Sequence, residues 1–131
     1  EAIGFRYKDP IMKECMLDAG CALELHAYYE KANDERFSDC RVGVHIDWDG
    51  DTSGPELDVE NEIDVLALDG NIPVFASCKN GKVNQMSLYE LETVARRFGG
   101  RYVRREMIAG QKMTEGYEVR AEEMGIQVIY V

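Results

Sequence analysis

Glu62-Ile63-Asp64-Val65-Leu66-Ala67-Leu68, then Asp69-Gly70-Asn71, then Ile72-Pro73-Val74-Phe75-Ala76-Ser77-Cys78-Lys79 sets the architecture of this chain. Two apolar runs rich in Val, Ile, Leu and Phe flank a short group of turn formers, the pattern of two strands joined by a hairpin. Antiparallel strands joined in this way bring their far ends together, so Asp64 and Lys79 meet at one edge of a sheet. Charges at the ends of otherwise apolar strands need a physical reason. One is an Asp–Lys pair that spares each group an uncompensated charge in low dielectric. The other is phosphodiester chemistry, in which carboxylates and a backbone carbonyl hold a hard cation such as Mg²⁺ or Mn²⁺ and a lysine orients or deprotonates water.

Working outward, Val42, Val44, Ile46 and Trp48 alternate along Arg41–Trp48 with the period of a half-buried strand. Residues 49–55 are dense in turn formers and read as an exposed loop, without the glycine and terminal glutamate offsets of an EF-hand. Asp9-Pro10 marks a helix start, with Asp as cap and Pro at the first helical position, and Gly20 is expected to break that helix. A second helix is predicted from Cys21 to about Lys31, with Glu24 and Tyr28 on one face. Downstream, Leu88, Leu91, Val94, Ala95 and Phe98 recur at helical spacing through Ser87–Phe98, and Gly99-Gly100 ends the run. Arg101–Ile108 reads as a strand, Met113–Met124 as a helix capped by Thr114 and stopped by Gly125, and Ile126–Val131 as a closing strand. Three successive strands followed by alternation predict an α/β fold with a mixed sheet and helices on both faces, rather than a doubly wound parallel sheet.

The 131 residues fit a single domain, residues 1–131, with 1–19 as a linker or helical lead-in. A hydrophobic content of 45% is ordinary for a globular protein, and no apolar run approaches the roughly 20 residues of a membrane span. The opening Glu1 has neither an initiator Met nor a signal sequence, which suggests the C-terminal part of a longer polypeptide. Cys15, Cys21, Cys40 and Cys78 contain no Cys-X-X-Cys unit, and reduced thiols of a cytoplasmic protein are expected. The formal charge of −10 disfavours nonspecific phosphate binding overall. Arg96, Arg97, Arg101, Arg104 and Arg105 nevertheless concentrate in one stretch, which is either a solvated face or a track that holds nucleic acid. His45 faces away from the Val42–Trp48 apolar set and reads as a sheet-face residue rather than a catalyst.

Glu24 on a helix, Asn61-Glu62-Ile63-Asp64-Val65-Leu66 on one strand and Ser77-Cys78-Lys79 on the next resemble the PD-(D/E)XK nuclease superfamily. Gly20-Cys21-Ala22-Leu23-Glu24, the Asn61–Asp64 stretch, Ser77-Cys78-Lys79, Leu88-Tyr89-Glu90-Leu91 and Arg97-Phe98-Gly99-Gly100 are similar to the nuclease domain of CARF-fused, type III CRISPR-associated nucleases. The likeness spans roughly residues 20–131. It implies a restriction-endonuclease-like αβββαβ core plus a C-terminal helix and strand, and a metal-dependent endonuclease acting on DNA or RNA. It further implies Asp64 as central metal ligand, the Cys78 carbonyl as another, Lys79 as catalytic lysine and Glu24 as a helix-borne acid, with Mg²⁺ or Mn²⁺ as cofactor. A homodimer is implied too, activated through an upstream CARF-like domain that senses cyclic oligoadenylate in antiviral defence. The sequence departs from the pattern at Ser77, where the superfamily has Asp or Glu, and a neutral hydroxyl binds a hard dication weakly. Glu24 first and Glu62 second are the candidates for the missing charge, with Gln85 or Glu90 approaching from the next helix. The alternative is a catalytically degenerate nuclease fold kept as a dimerisation or nucleic-acid-binding module. With Ser77 and Lys79 turned toward the site, the Cys78 thiol points into the core.

Overall fold

A computed structural model of the chain describes residues 2–4, 6–48 and 61–131. Its elements run α1 (Pro10–Leu17), α2 (Ala19–Ala32), β1 (Asp39–Ile46), β2 (Asn61–Asp69), β3 (Ile72–Lys79), α3 (Gln85–Phe98), β4 (Arg104–Ala109), α4 (Glu115–Glu123) and β5 (Ile126–Tyr130). The sheet has the order β1-β2-β3-β4-β5. Its first three strands form an antiparallel meander, while β3, β4 and β5 are parallel, as helical crossovers require. This is the α/β mixed sheet expected from the sequence. The turn-rich stretch 49–55 lies outside the described residues.

Helices cover both faces. On one, Leu23 and Ala27 of α2 pack on Val65, Ala76, Cys78 and Ile108. On the other, Leu88, Leu91, Val94 and Ala95 of α3 and Ala121 of α4 pack on Phe75, Met107 and Ile126, with Val44, Ile46 and Trp48 against the margin. Lys31 of α2 and Glu106 of β4 form a buried ion pair whose side chains are 8% and 9% exposed. The Lys31 ammonium also lies 5.2 Å from the Phe37 ring centroid. A pair this buried fixes the seat of α2 on the sheet, because neither charge can be left alone there.

Several boundaries differ from the sequence reading. Asp9 caps α1 as expected, accepting from the Met12 amide at 2.8 Å, but the helix ends at Leu17 rather than at Gly20. Asp18 starts α2 by accepting from the Gly20 amide at 2.9 Å, which places Gly20 inside the first turn. The hairpin turn is shorter than predicted: Asp69 pairs with Ile72, and Gly70 takes the positive φ, +62°, at the first turn position. β4 begins at Arg104 instead of Arg101, because Gly100 at φ +74° leads into a turn over Arg101 and Tyr102. The expectation of four reduced thiols is also corrected. Cys15 and Cys21 form a disulfide that ties α1 to α2 across a Cα–Cα distance of 5.3 Å, leaving Cys40 and Cys78 free.

Candidate active site

The site forms where β2 and β3 part. Their pairing runs from Asp69–Ile72 to Val65–Ala76 and stops at the next step, where Asp64 would face Ser77. There the Asp64 carboxylate takes over as acceptor. Its Oδ2 receives the Cys78 amide at 2.6 Å and the Ser77 hydroxyl at 3.2 Å. Strand alternation is lost at the same point, since Ile63 joins the α3-side core while Val65, two residues on, joins the α2-side core. The backbone of β2 therefore turns at Asp64 and opens a wedge between strands. Gly43 of β1, at φ +62°, falls between the Val42–Val65 and Val44–Ile63 pairs, opposite Asp64. A left-handed residue there favours glycine on steric grounds.

The wedge holds a cleft of about 360 Å³ lined by polar Asn61, Glu62, Asp64, Ser77, Lys79 and Glu90 over a floor of Ile63, Ala76, Leu91 and Val94. Asp64, Ser77, Lys79 and Glu62 are thus brought together. Glu24 stands outside the lining, on α2, yet it belongs to the same electrostatic neighbourhood. Burial, then the charges of Asp64, Glu62 and Asp18, push its carboxyl above the usual carboxylate range, with Lys79 opposing them. Burial first, and Asp64 and Glu24 after it, push the Cys78 thiol up to about 12. That thiol lies in the core beside Leu23 and Ala27, as the alternation predicted, so only its backbone faces the chemistry.

The donor chemistry suits a hard dication. The neighbouring carboxylates that raise the proton affinity of Glu24 are charges a bound cation relieves, and carboxylate oxygen is the donor a hard dication prefers. Among the described residues no group of three His, Cys, Asp or Glu is placed to enclose a metal. A dication beside Asp64, with Glu24 and Glu62 only as nearby charges, would keep most of its shell as water, which Mg²⁺ tolerates.

The arginines are spread out. Arg96 pairs with Glu92 of its own helix, and Arg97 lies 4.7 Å over the Trp48 ring. Arg101 stacks on Tyr102 and Arg104 pairs with Asp69 at the hairpin, at the end of β3 remote from Lys79. Arg105 sits beside β5 with its Nε buried and unpartnered. Gln85 donates to the Tyr89 hydroxyl at 2.8 Å and does not line the cleft. His45 is exposed on β1, 4.0 Å from Glu62, and His26 is exposed on α2. The sequence reading missed Asn61, Leu91 and Val94 of the cleft and the Lys31–Glu106 pair. Contiguity with Glu62 was the available signal for Asn61, whereas the buried pair joins residues 75 positions apart and has no local signature.

No protein-family model and no curated protein sequence matches the chain. Solved structures do. Protein VC1899 from Vibrio cholerae superposes with a TM-score of 0.74 at 18% identity, over 95% of this chain and 33% of that one. Can2 from Sulfobacillus thermosulfidooxidans, solved in complex with cyclic tetra-adenylate, gives 0.72 at 20% identity, over 96% and 36%. A repair endonuclease from Pyrococcus abyssi gives 0.59 at 16% identity, over 98% and 49%. The chain thus spans about a third of the first two proteins and half of the third. No helix among the described residues is long and apolar enough to cross a membrane. With its mixed five-stranded sheet, covering helices and parted strands, the chain has a restriction-endonuclease-like fold.

Proposed function

We propose that the chain is a metal-dependent nuclease that hydrolyses phosphodiester bonds in DNA or RNA. The observation that carries this reading is the cleft at the strand split, where the anchored Asp64 carboxylate and Lys79 face one space. Asp64, which lines the cleft, is held in place by the Cys78 amide, so its carboxylate is pre-oriented rather than free to rotate. Lys79 supplies a positive charge that orients a water or steadies charge growing on the phosphoryl oxygens. Glu24, with its raised proton affinity, is suited to take a proton from that water. Asp64 and the Cys78 carbonyl would hold Mg²⁺ or Mn²⁺, which would lower the pKa of water and polarise the phosphate. The likeness to Can2, whose structure contains cyclic tetra-adenylate, supports control by a cyclic-oligoadenylate-sensing CARF-like domain in antiviral CRISPR defence. A cytoplasmic homodimer is part of the same reading.

The test is to incubate the chain with labelled single- and double-stranded DNA and RNA in Mn²⁺, Mg²⁺ or EDTA. Cleavage is expected with metal only, falling at least about 100-fold in both Asp64→Ala and Lys79→Ala. Cleavage that survives both substitutions would sink the assignment. A second reading, a degenerate fold serving as a binding or dimerisation module, is favoured by one observation. Ser77 spends its hydroxyl on Asp64 where an acid would add a ligand. It predicts no calorimetric signal when Mn²⁺ is titrated into the chain.

A further inference from the structure

Beside the cleft runs a second depression of about 350 Å³, lined by Trp48, Asn61, Met86, Tyr89, Glu90, Thr93 and Val94. Asn61, Glu90 and Val94 also line the cleft, so the two are continuous. Their chemistry differs. The cleft presents carboxylates and an ammonium, while the groove presents two aromatic rings and a thioether.

Met86 and Tyr89 are surplus to the core, and Trp48 only borders it. The buried stripe of α3 is Leu88, Leu91, Val94 and Ala95, whereas Met86 and Tyr89 are 63% and 39% exposed. Met86, Tyr89 and Thr93, three and four residues apart, share a face turned to the groove. The Trp48 ring is fixed from other sides. It meets Phe98 edge to face at 5.3 Å, carries the Arg97 guanidinium at 4.7 Å, and its carbonyl accepts from Arg97 Nη2 at 3.3 Å. A ring held in this way is a preorganised platform, since little side-chain freedom remains to be lost on binding. Arg97 does not line the groove, and it places a positive charge at the platform's margin.

We propose that this groove is a stacking subsite for one unpaired nucleobase of the polynucleotide whose backbone occupies the cleft. The proposal rests on the nuclease reading and names what the neighbouring space holds. A strand that lays a phosphate in the cleft must put an adjacent base within a few ångströms of it. Among the described residues, this aromatic wall is apolar surface continuous with the cleft's rim on the α3 side. Aromatic stacking accepts every base, because each has a π face, and Asn61, Glu90 and Thr93 offer hydrogen-bonding groups at the edge. A base inside a duplex is already stacked and unavailable, so the occupant is an unpaired one.

Trp48 is the single tryptophan of the chain, so its fluorescence reports on the platform directly. The chain is titrated, with Ca²⁺ in place of Mg²⁺, with a ten-nucleotide single strand and with an abasic strand of the same length. Quenching by the base-bearing strand alone is expected, with affinity about tenfold weaker in Tyr89→Ala and retained in Tyr89→Phe. Tyr89 is a surface position, so these variants keep the fold where Trp48→Ala risks it. Equal quenching by both strands, or none by either, overturns the subsite. Cleavage measured in parallel separates the two ideas. Absence of metal-dependent cutting, or cutting that persists in Lys79→Ala, defeats the nuclease, whereas Lys79-dependent cutting with base-independent fluorescence defeats only the groove.

Discussion

Glu24 shows how one residue links chemistry to stability. Its carboxyl is raised above its ordinary value of 4.5, so the ionised form opposes folding. Its unfavourable contribution is absent below about pH 4.5, grows as pH climbs through the raised value, and is constant above it. Glu24→Gln should therefore melt higher than the natural chain at pH 7 and at the same temperature near pH 4, read by thermal scans across that range, while cleaving more slowly. Ser77 makes the complementary case. Ser77→Asp adds a carboxylate to the site, so Mn²⁺ should bind about tenfold tighter by calorimetry while the metal-free protein loses stability to the added repulsion. Asp64 and Lys79 were legible in the sequence because charge at the tip of an apolar strand is conspicuous. Trp48 was legible only as one more apolar residue of a strand, since nothing in its neighbours announces Arg97 or Tyr89 beside it.

At the level of elements, α2 is seated by Lys31 and Glu106, two helical turns from Glu24 on the same face. Lys31→Met alone should cost about 3–5 kcal/mol, because Glu106 is left buried and unpaired, whereas Lys31→Met with Glu106→Leu should recover most of that in urea denaturation. The tether of α1 has a chemical test. Alkylation after unfolding should label two cysteines, Cys40 and Cys78, without reductant and all four after reduction. Element identities followed from hydrophobic period, and β3 matched at both ends. The misplaced edges have local causes. A single Asp18 serves as C-cap of α1 and N-cap of α2, and two capping roles on one residue leave no glycine or proline to mark the boundary. The Cys15–Cys21 bridge was illegible because its partners belong to different helices, whose crossing no spacing rule supplies.

For the whole molecule, the order of three strands and then alternation was enough to give the mixed sheet, since connection lengths leave few other topologies. The dispersal of the arginines was not legible, because contiguous residues here belong to a helix end, a turn and a strand start. A net charge of −10 repels itself, so raising NaCl from 0.02 to about 0.3 M should increase Tm, a trend that thermal scans would reveal. The parting of β2 and β3 has one more consequence. In an ordinary ladder the Cys78 amide would be guarded by another backbone; here its guard is a side chain that mutation can delete. Deuterium uptake at that amide should accelerate in Asp64→Ala and stay slow in Lys79→Ala. Under the proposed chemistry, a variant made at the aspartate would thus also unlatch the sheet, and the lysine is where cleavage would be silenced with the architecture intact.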